Sequence, residues 1–145
     1  RPPYVRHGMM QVEAIDAFWQ RAQQEYQIKA IDGDEPARAL SGGNQQKVIL
    51  AREIDGDPAV LIANQPTRGL DVGAAEYVRG KLLDARNQGA AVLVVSADLE
   101  ELLQISDRIA VIYDGEIMGV LPRGADTYAL GELMMGKRQE VDARE

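Results

Sequence analysis

The chain has 145 residues, 46% hydrophobic and 27% charged, and its 16 Lys and Arg against 23 Asp and Glu give a formal net charge of −7. That is apolar material for one domain or a piece of one, and the acidic balance argues against nonspecific nucleic-acid binding, which needs a basic surface. There is no cysteine, which excludes disulfides and thiolate chemistry and fits a cytosolic protein, and no apolar run approaches the roughly 20 residues of a membrane span.

The chain opens Arg1-Pro2-Pro3, with no initiator methionine and no signal peptide, and reads as a piece of something longer. Met9, Val12, Ile15, Phe18, Trp19, Ala22 and Tyr26 recur at helical spacing, which predicts an amphipathic helix over about 8 to 27. Asp32 to Pro36 is a loop. A second helix follows Ser41, carries Val48, Ile49, Ala51, Arg52 and Ile54, and stops at Asp55-Gly56-Asp57-Pro58. The texture then changes. Ala59 to Ala63 is a short apolar run, Gly73 to Asn87 a helix, and Ala90 to Val95 a second apolar run. Asp98 to Ile105 is a short helix with Asp98 as N-cap and Glu101 three residues on, its acidic start expected to be solvated. Arg108 to Tyr113 is a strand that Asp114-Gly115 turns into Glu116 to Val120, a hairpin signal. The last helix runs from about Asp126 to Met135, and the tail after Gly136 is charged and loose.

Strand alternating with helix reads as parallel α/β, whose continuous apolar strands are buried on both faces. The front third reads as wholly helical. The division falls near residue 56, giving a helical part over 1–55 and an α/β part over 56–145. Phe18 and Trp19 are expected to pack within the helical part, and Arg68 to serve structure or an interface. His7, the only histidine, is expected at the surface or at a helix start.

Leu40-Ser41-Gly42-Gly43-Asn44-Gln45-Gln46 carries the chemistry. Ser41, Gly42 and Gly43 open a helix. Two residues without side chains let a ligand reach the backbone. The unpaired first-turn amides and the positive end of the helix dipole favour phosphate. Ser41 Oγ can donate to that phosphate or cap the helix. Alone, the pattern is most often a cap and a turn.

The longer string, Leu40 to Lys47, resembles the signature motif of ATP-binding-cassette ATPases. Pro66-Thr67-Arg68-Gly69-Leu70-Asp71-Val72-Gly73 resembles their Walker B continuation and D-loop. The resemblance covers essentially the whole chain and implies a partial P-loop NTPase core, a parallel sheet with helices and a C-terminal hairpin, preceded by the helical subdomain. The Asn44-Gln45-Gln46 and Ala63-Asn64-Gln65-Pro66 variants, with Ser106 to Tyr113 downstream, are similar to the second cassette of tandem sugar and nucleoside importer ATPases, the nucleoside branch favoured.

The resemblance also marks losses. Where the family carries an Mg²⁺-holding aspartate and a water-polarising glutamate, this chain has Asn64 and Gln65; where it carries a switch histidine, this chain has Ala97. An amide lacks the carboxylate charge that favours Mg²⁺, and losing a general base typically costs about 10²–10⁴ in rate. No catalytic residue is therefore expected intact. In the family two cassettes sandwich two nucleotides head to tail. By that geometry Ser41, Gly42, Gly43, Asn44 and Gln45 face the ATP of a partner cassette, and Asp71 lies at the cassette interface.

The implied cofactors are ATP and Mg²⁺, both shared with the partner. The implied partners are an N-terminal cassette of the same parent chain, transmembrane permease subunits and, indirectly, an extracytoplasmic solute-binding protein, with no nucleic acid. The implied place is the cytoplasmic face of the bacterial inner membrane. The piece alone is expected to bind ATP weakly and hydrolyse none, with an unpaired sheet edge that invites association. Two rivals stand: a non-catalytic scaffold on the cassette fold, and a soluble non-transport ATPase of the same family. Gly131 to Arg138 matches the GxxxxGK of a phosphate loop, but Arg138 stands where Ser or Thr belongs and the spacing is helical, so it is set aside.

Overall fold

The computed structural model describes residues 3–138. The amino end forms a hairpin before any helix. Strand β1 (Val5–Arg6) pairs antiparallel with β2 (Met9–Met10) across His7 and Gly8, with φ of 50° and 80°. Two successive positive φ values make the tight turn whose twist suits a hairpin. This corrects the expected helix over 8–27 and the wholly helical front third. Helix α1 runs Val12–Glu25, and Met9 is 67% exposed. The helical spacing holds from Val12 onward; Met9 belongs to a strand.

The described residues form two compact units, one ending at Val95 and the other starting at Ser96. In the first, Asp55 anchors the amino end: it accepts from Tyr4 Oη at 2.6 Å and from the Arg21 guanidinium. The hydrogen bond to Asp55 pushes the Arg21 pKa up. Phe18 packs on the Tyr4 ring at 5.4 Å with Arg21 over its face, and Trp19 lies so close to Gly33 that a Cβ there would stand 3.0 Å from the indole. Both aromatic residues thus pack within this unit.

Helix α2 (Gly42–Ile54) and helix α3 (Val72–Asn87) pack together, and α3 contacts β4. Strands β3 (Val60–Asn64) and β4 (Ala91–Val95) form a parallel pair, from Val60↔Ala91 to Asn64↔Val95. α3 is their crossover, and it buries Val78, Leu82 and Ala85, at i, i+4 and i+7, as its inner stripe. Alternation along the strands puts Leu61, Ala63, Val92 and Val94 on the more covered face. The other face is bare: Val60, Ile62, Leu93 and Val95 are 62%, 67%, 55% and 49% exposed. The expectation of burial on both faces therefore fails on this side. A parallel pair is buried twice only when helices cover both faces, and among the described residues one does.

The end of α1 is held by lysine ammonium groups over tyrosine rings. Lys81 Nζ lies 4.7 Å from the Tyr26 ring centroid, and Lys47 Nζ lies 4.6 Å from that of Tyr77. Tyr77 Oη donates to the Glu25 carbonyl at 3.5 Å and Lys47 Nζ to the Gln27 carbonyl at 3.1 Å. Burial pushes the Tyr26 phenol up to about 12, with a smaller contribution from Glu25, and burial also raises Tyr77.

The second unit is built on a hairpin, β5 (Arg108–Tyr113) and β6 (Glu116–Pro122), closed by Asp114 and Gly115 at φ of 50° and 80°. The β5 strand thus continues the strand–helix alternation in sequence but pairs antiparallel with its neighbour. Ile109, Val111, Met118 and Leu121 pack against Leu130 and Leu133 of helix α5 (Thr127–Met134), with Leu99, Leu102 and Leu103 of α4 (Leu99–Ile105) around them. Asp98 caps α4 through its Oδ1 and the Glu101 amide at 3.1 Å. The solvated acidic start needs correction at one residue. Asp98 and Glu100 are exposed, but Glu101 is 1% exposed and neither of its carboxylate oxygens has a hydrogen-bond partner among the described residues. It shares a buried stripe with Ile105, four residues on. The charged tail beyond residue 138 lies outside the described residues.

Burial separates the two faces of the sheet energetically. Leu82→Ala is expected to cost about 2–5 kcal/mol, whereas Ile62→Ala on the bare face costs under about 1 kcal/mol; urea unfolding of both variants checks the ordering. Tyr26 gives a pH signature. Its folded pKa lies above the unfolded value of about 10, so its contribution to stability is intact below pH 10 and is lost as pH rises toward about 12. Ultraviolet titration should show one tyrosine ionising near that upper value, absent in Tyr26→Phe.

Candidate functional site

Helix α2 begins where the backbone has most reason to bind something. Ser41 (φ −59°, ψ 154°) is its N-cap, and Gly42 and Gly43 occupy the first two helical positions. Ser41 Oγ accepts from the Asn44 amide at 3.4 Å and from Asn44 Nδ2 at 3.0 Å. So the cap reading of Ser41 holds, and its hydroxyl hydrogen stays available. The Gln45 amide is the first bonded within the helix, to the Ser41 carbonyl at 2.9 Å. The Gly42 and Gly43 amides precede it and have no acceptor among the described residues. Gly42 is exposed and Gly43 half-buried. They are two of the donors that a helix start always leaves over.

The neighbouring side chains are used on the loop itself. Asn44 Oδ1 accepts from the Lys29 amide at 2.9 Å, and Gln45 Nε2 donates to the Leu40 carbonyl at 2.8 Å. Asn44 and Gln45 are thus bonded to neighbouring backbone beside the open Gly42 and Gly43 amides. Gly43 has a packing reason as well: a Cβ there would stand 3.1 Å from Ala74 Cβ, whereas at Gly42 the nearest atom is Leu70 Cδ2 at 3.9 Å. Asp71 caps α3 through Oδ1 and the Ala74 amide at 2.9 Å. Two capped helix starts thus meet at this corner, and their positive dipole ends add to the open amides.

Asn64 ends β3, exposed, and Gln65 follows it at φ 50°. Left-handed backbone on a non-glycine residue costs about 1–3 kcal/mol and persists where the surroundings fix it. Here they do. The Gln65 amide donates to the Val95 carbonyl at 2.7 Å, its carbonyl accepts from the Arg68 amide at 3.2 Å, and the Thr67 carbonyl accepts from the Leu70 amide at 3.1 Å. A further residue of the run, given no role of its own in the sequence, joins the corner: Gln46 Nε2 donates to the Pro66 carbonyl at 2.8 Å. Its position three residues past Gly43, on the first turns of α2, was the available signal.

Ser41 to Gln45, Asn64, Gln65 and Asp71 all lie in the first unit. Ala97 lies in the second, exposed, in the turn before α4 where the Asp98 amide bonds Ser96 Oγ at 3.0 Å. Among the described residues no group of three or more His, Cys, Asp or Glu is placed to hold a metal ion. With neutral amides at 64 and 65, the residues present do not fit an Mg²⁺ held by this chain alone. His7 is exposed in the β1–β2 turn. The GxxxxGK string begins on the last turn of α5 and runs past its end, where Lys137 Nζ bonds Glu132 Oε1 at 2.7 Å and Arg138 bonds Glu116 Oε2 at 2.8 Å. A phosphate loop needs a strand before it and a helix after it.

Solved structures show the same fold over most of this chain. A dimeric post-hydrolysis structure of the ATP-binding cassette MJ0796, bound to ADP and Pi, superposes over 83% of this chain and 52% of that one, with a TM-score of 0.68 and 25% identity. The nucleoside import ATP-binding protein NupA of Lactococcus lactis is 47% identical over 137 residues, 94% of this chain and 27% of that protein. The chain belongs to the ATP-binding-cassette family. The guanosine import ATP-binding protein NupO of Bacillus subtilis is 54% identical over 80% of this chain and 23% of its own, and the glucose import ATP-binding protein TsgD13 of Haloferax volcanii is 48% identical over 80% and 22%. The chain thus spans about a quarter of the length of these curated relatives. No family model matches it. The run that resembles the family's signature motif, Leu40 to Lys47, and the run that resembles its stretch after Walker B, Pro66 to Gly73, both fall in the first unit.

The two signature glycines should respond differently to a methyl group. Gly42→Ala is expected to leave stability within about 1 kcal/mol, since alanine suits a helix better. Gly43→Ala must push Ala74 away and is expected to cost about 1–2 kcal/mol. Urea unfolding midpoints of the two variants check this.

Proposed function

We propose that this chain is part of the ATP-binding subunit of an importer for nucleosides or simple sugars, in which its signature helix completes the ATP site of a partner cassette. The observation that carries the reading is the pair of unbonded amides at Gly42 and Gly43, held open at a capped helix start while the side chains of Asn44 and Gln45 are engaged elsewhere. Such a start binds the γ-phosphate of an ATP presented from outside, with Ser41 as a further donor. The partner is an N-terminal cassette of the same parent chain, which brings the ATP and its Mg²⁺. Asp71 sits at the cassette interface.

The site this cassette would form for itself is degenerate. Asn64 and Gln65 lack the charge for metal binding and for polarising water, and Ala97 lacks a group to contact the γ-phosphate. Hydrolysis therefore belongs to the site that the signature serves. The chain alone hydrolyses no ATP. Closure of the two cassettes drives transmembrane permease subunits, fed by an extracytoplasmic solute-binding protein, from the cytoplasmic side of the membrane. The names of NupA, NupO and TsgD13 support import of nucleosides or sugars. In sequence the parts are a helical subdomain over 1–55 and the second half of the core over 56–145.

The test is Ser41→Arg in the intact importer. The bulky cation blocks approach to the Gly42 and Gly43 amides, and ATP turnover and solute uptake are expected to fall roughly 10²-fold or more, as when donors to a transition-state charge are removed. Unchanged rates of both would end this reading.

A further inference from the structure

We infer that Gln46 is a positioning residue that ties the phosphate-facing start of α2 to the turn after β3, so that what binds at Ser41 to Gly43 is felt at Asn64, Gln65 and Asp71. The inference rests on the signature reading above and adds a link between the two nucleotide sites that one cassette touches.

The corner is joined at three points. Gly43 meets Ala74 closely enough that a Cβ would stand 3.1 Å away, Asp71 caps α3 at 2.9 Å, and Gln46 Nε2 reaches the Pro66 carbonyl at 2.8 Å. The first two hold α2 to α3 and α3 to its own lead-in. The third alone crosses from α2 to the turn itself. Pro66 is buried and has no N–H. The turn's own bonds use the carbonyls of Gln65 and Thr67 on either side of it, leaving the Pro66 carbonyl to Gln46. A buried carbonyl needs an acceptor's partner, and losing it costs more than making it gains.

The residue next to Pro66 is the one most able to respond. Gln65 holds φ 50° under two backbone hydrogen bonds, and strained positions are where a small shift becomes a change of conformation. Helix α2 moves as a rigid rod. A phosphate drawn onto Gly42 and Gly43 therefore acts on Pro66 through the Gln46 side chain, less than two turns along the same helix. In the converse direction, the state of the β3 end sets where the Ser41 to Gly43 amides point. Chemistry narrows the requirement at 46 to a donor of about this length. Met keeps the length and loses the donor, Lys keeps both, and ionised Glu sets a negative oxygen against a carbonyl.

The experiment uses the intact importer with its permease, measuring ATP turnover against ATP concentration for Gln46→Met, Gln46→Lys and Ser41→Arg. Because the partner cassette holds the ATP, Gln46→Met is expected to lower kcat about fivefold, the factor that one net hydrogen bond is worth, and to leave KM for ATP within about twofold. Gln46→Lys should recover at least about half of the loss, since it restores the donor. Native kcat in Gln46→Met overturns the link, as does equal loss in Gln46→Met and Gln46→Lys at native melting temperature, which would make the role one of packing. If Gln46→Met does not fold, Gln46→Lys against Gln46→Glu makes the same comparison: active Lys with impaired Glu supports the link, and equal activities overturn it. Ser41→Arg separates the two levels. If it is inert, the signature reading itself falls; if it abolishes turnover while Gln46→Met does not, only the link falls.

Discussion

The approach of α2 to α3 at Gly43 is the constraint on which the rest of the corner depends. With no side chain there, the two helix starts come close enough for Gly43 and Ala74 to touch. That closeness puts two capped N-termini side by side, Ser41 on one and Asp71 on the other. Each contributes the positive end of a dipole. An aspartate at such a corner would ordinarily repel an anion. Here Asp71 Oδ1 accepts from the Ala74 amide, so part of its charge is answered within α3. The loop commits its side chains to its own shape and leaves the Gly42 and Gly43 backbone unbonded. A rigid frame with free amides is the arrangement that binds a charged oxygen without reorganising first.

A different constraint governs the sheet. The bare face of the β3–β4 pair, carrying Val60, Ile62, Leu93 and Val95, has the composition of an interior layer. Parallel pairs exist because helices cover both sides, and α3 covers one. A face of that kind is what a parallel sheet presents to a second helix layer. The chain spans only part of the length of the cassettes it matches. In the second unit, Glu101 tells a similar story in polar form: a carboxylate that is buried without a hydrogen bond costs free energy unless something pairs with it.

Much of this was legible in the sequence, for reasons that differ from element to element. Helices α2 and α4 were marked in the sequence by their caps, Ser41 and Asp98; Asp71 and Asp126 cap α3 and α5 in the same way. The parallel strands were marked by apolar runs, and the second hairpin by Asp114-Gly115. The amino-terminal hairpin was hidden because Met9 falls into helical register with Val12 and Ile15 by coincidence, while the turn signal is His7-Gly8, a weaker pair than Asn-Gly or Asp-Gly. Glu101 was hidden because burial of a charge depends on what packs over it. The signature motif was legible as a string of residues. Where its side chains go came only with the structure: Asn44, Gln45 and Gln46 bond the backbone of Lys29, Leu40 and Pro66.

On the proposed function, the end of β3 is a site that has lost its chemistry and kept its architecture. Nothing that holds this turn needs a carboxylate. Gln65 is fixed by its amide on the Val95 carbonyl and its carbonyl on the Arg68 amide, Thr67 by Leu70, and Pro66 by Gln46. All of these are backbone groups except one, and that one comes from α2. Amides at 64 and 65 therefore leave the strained backbone in place while removing the negative charge. Selection on the shape of this turn and selection on its chemistry act on different atoms. If the shape also sets where the signature amides point, as the Gln46 bond argues, a cassette can stop hydrolysing at its own site and still be held to the same fold by the work it does at its partner's.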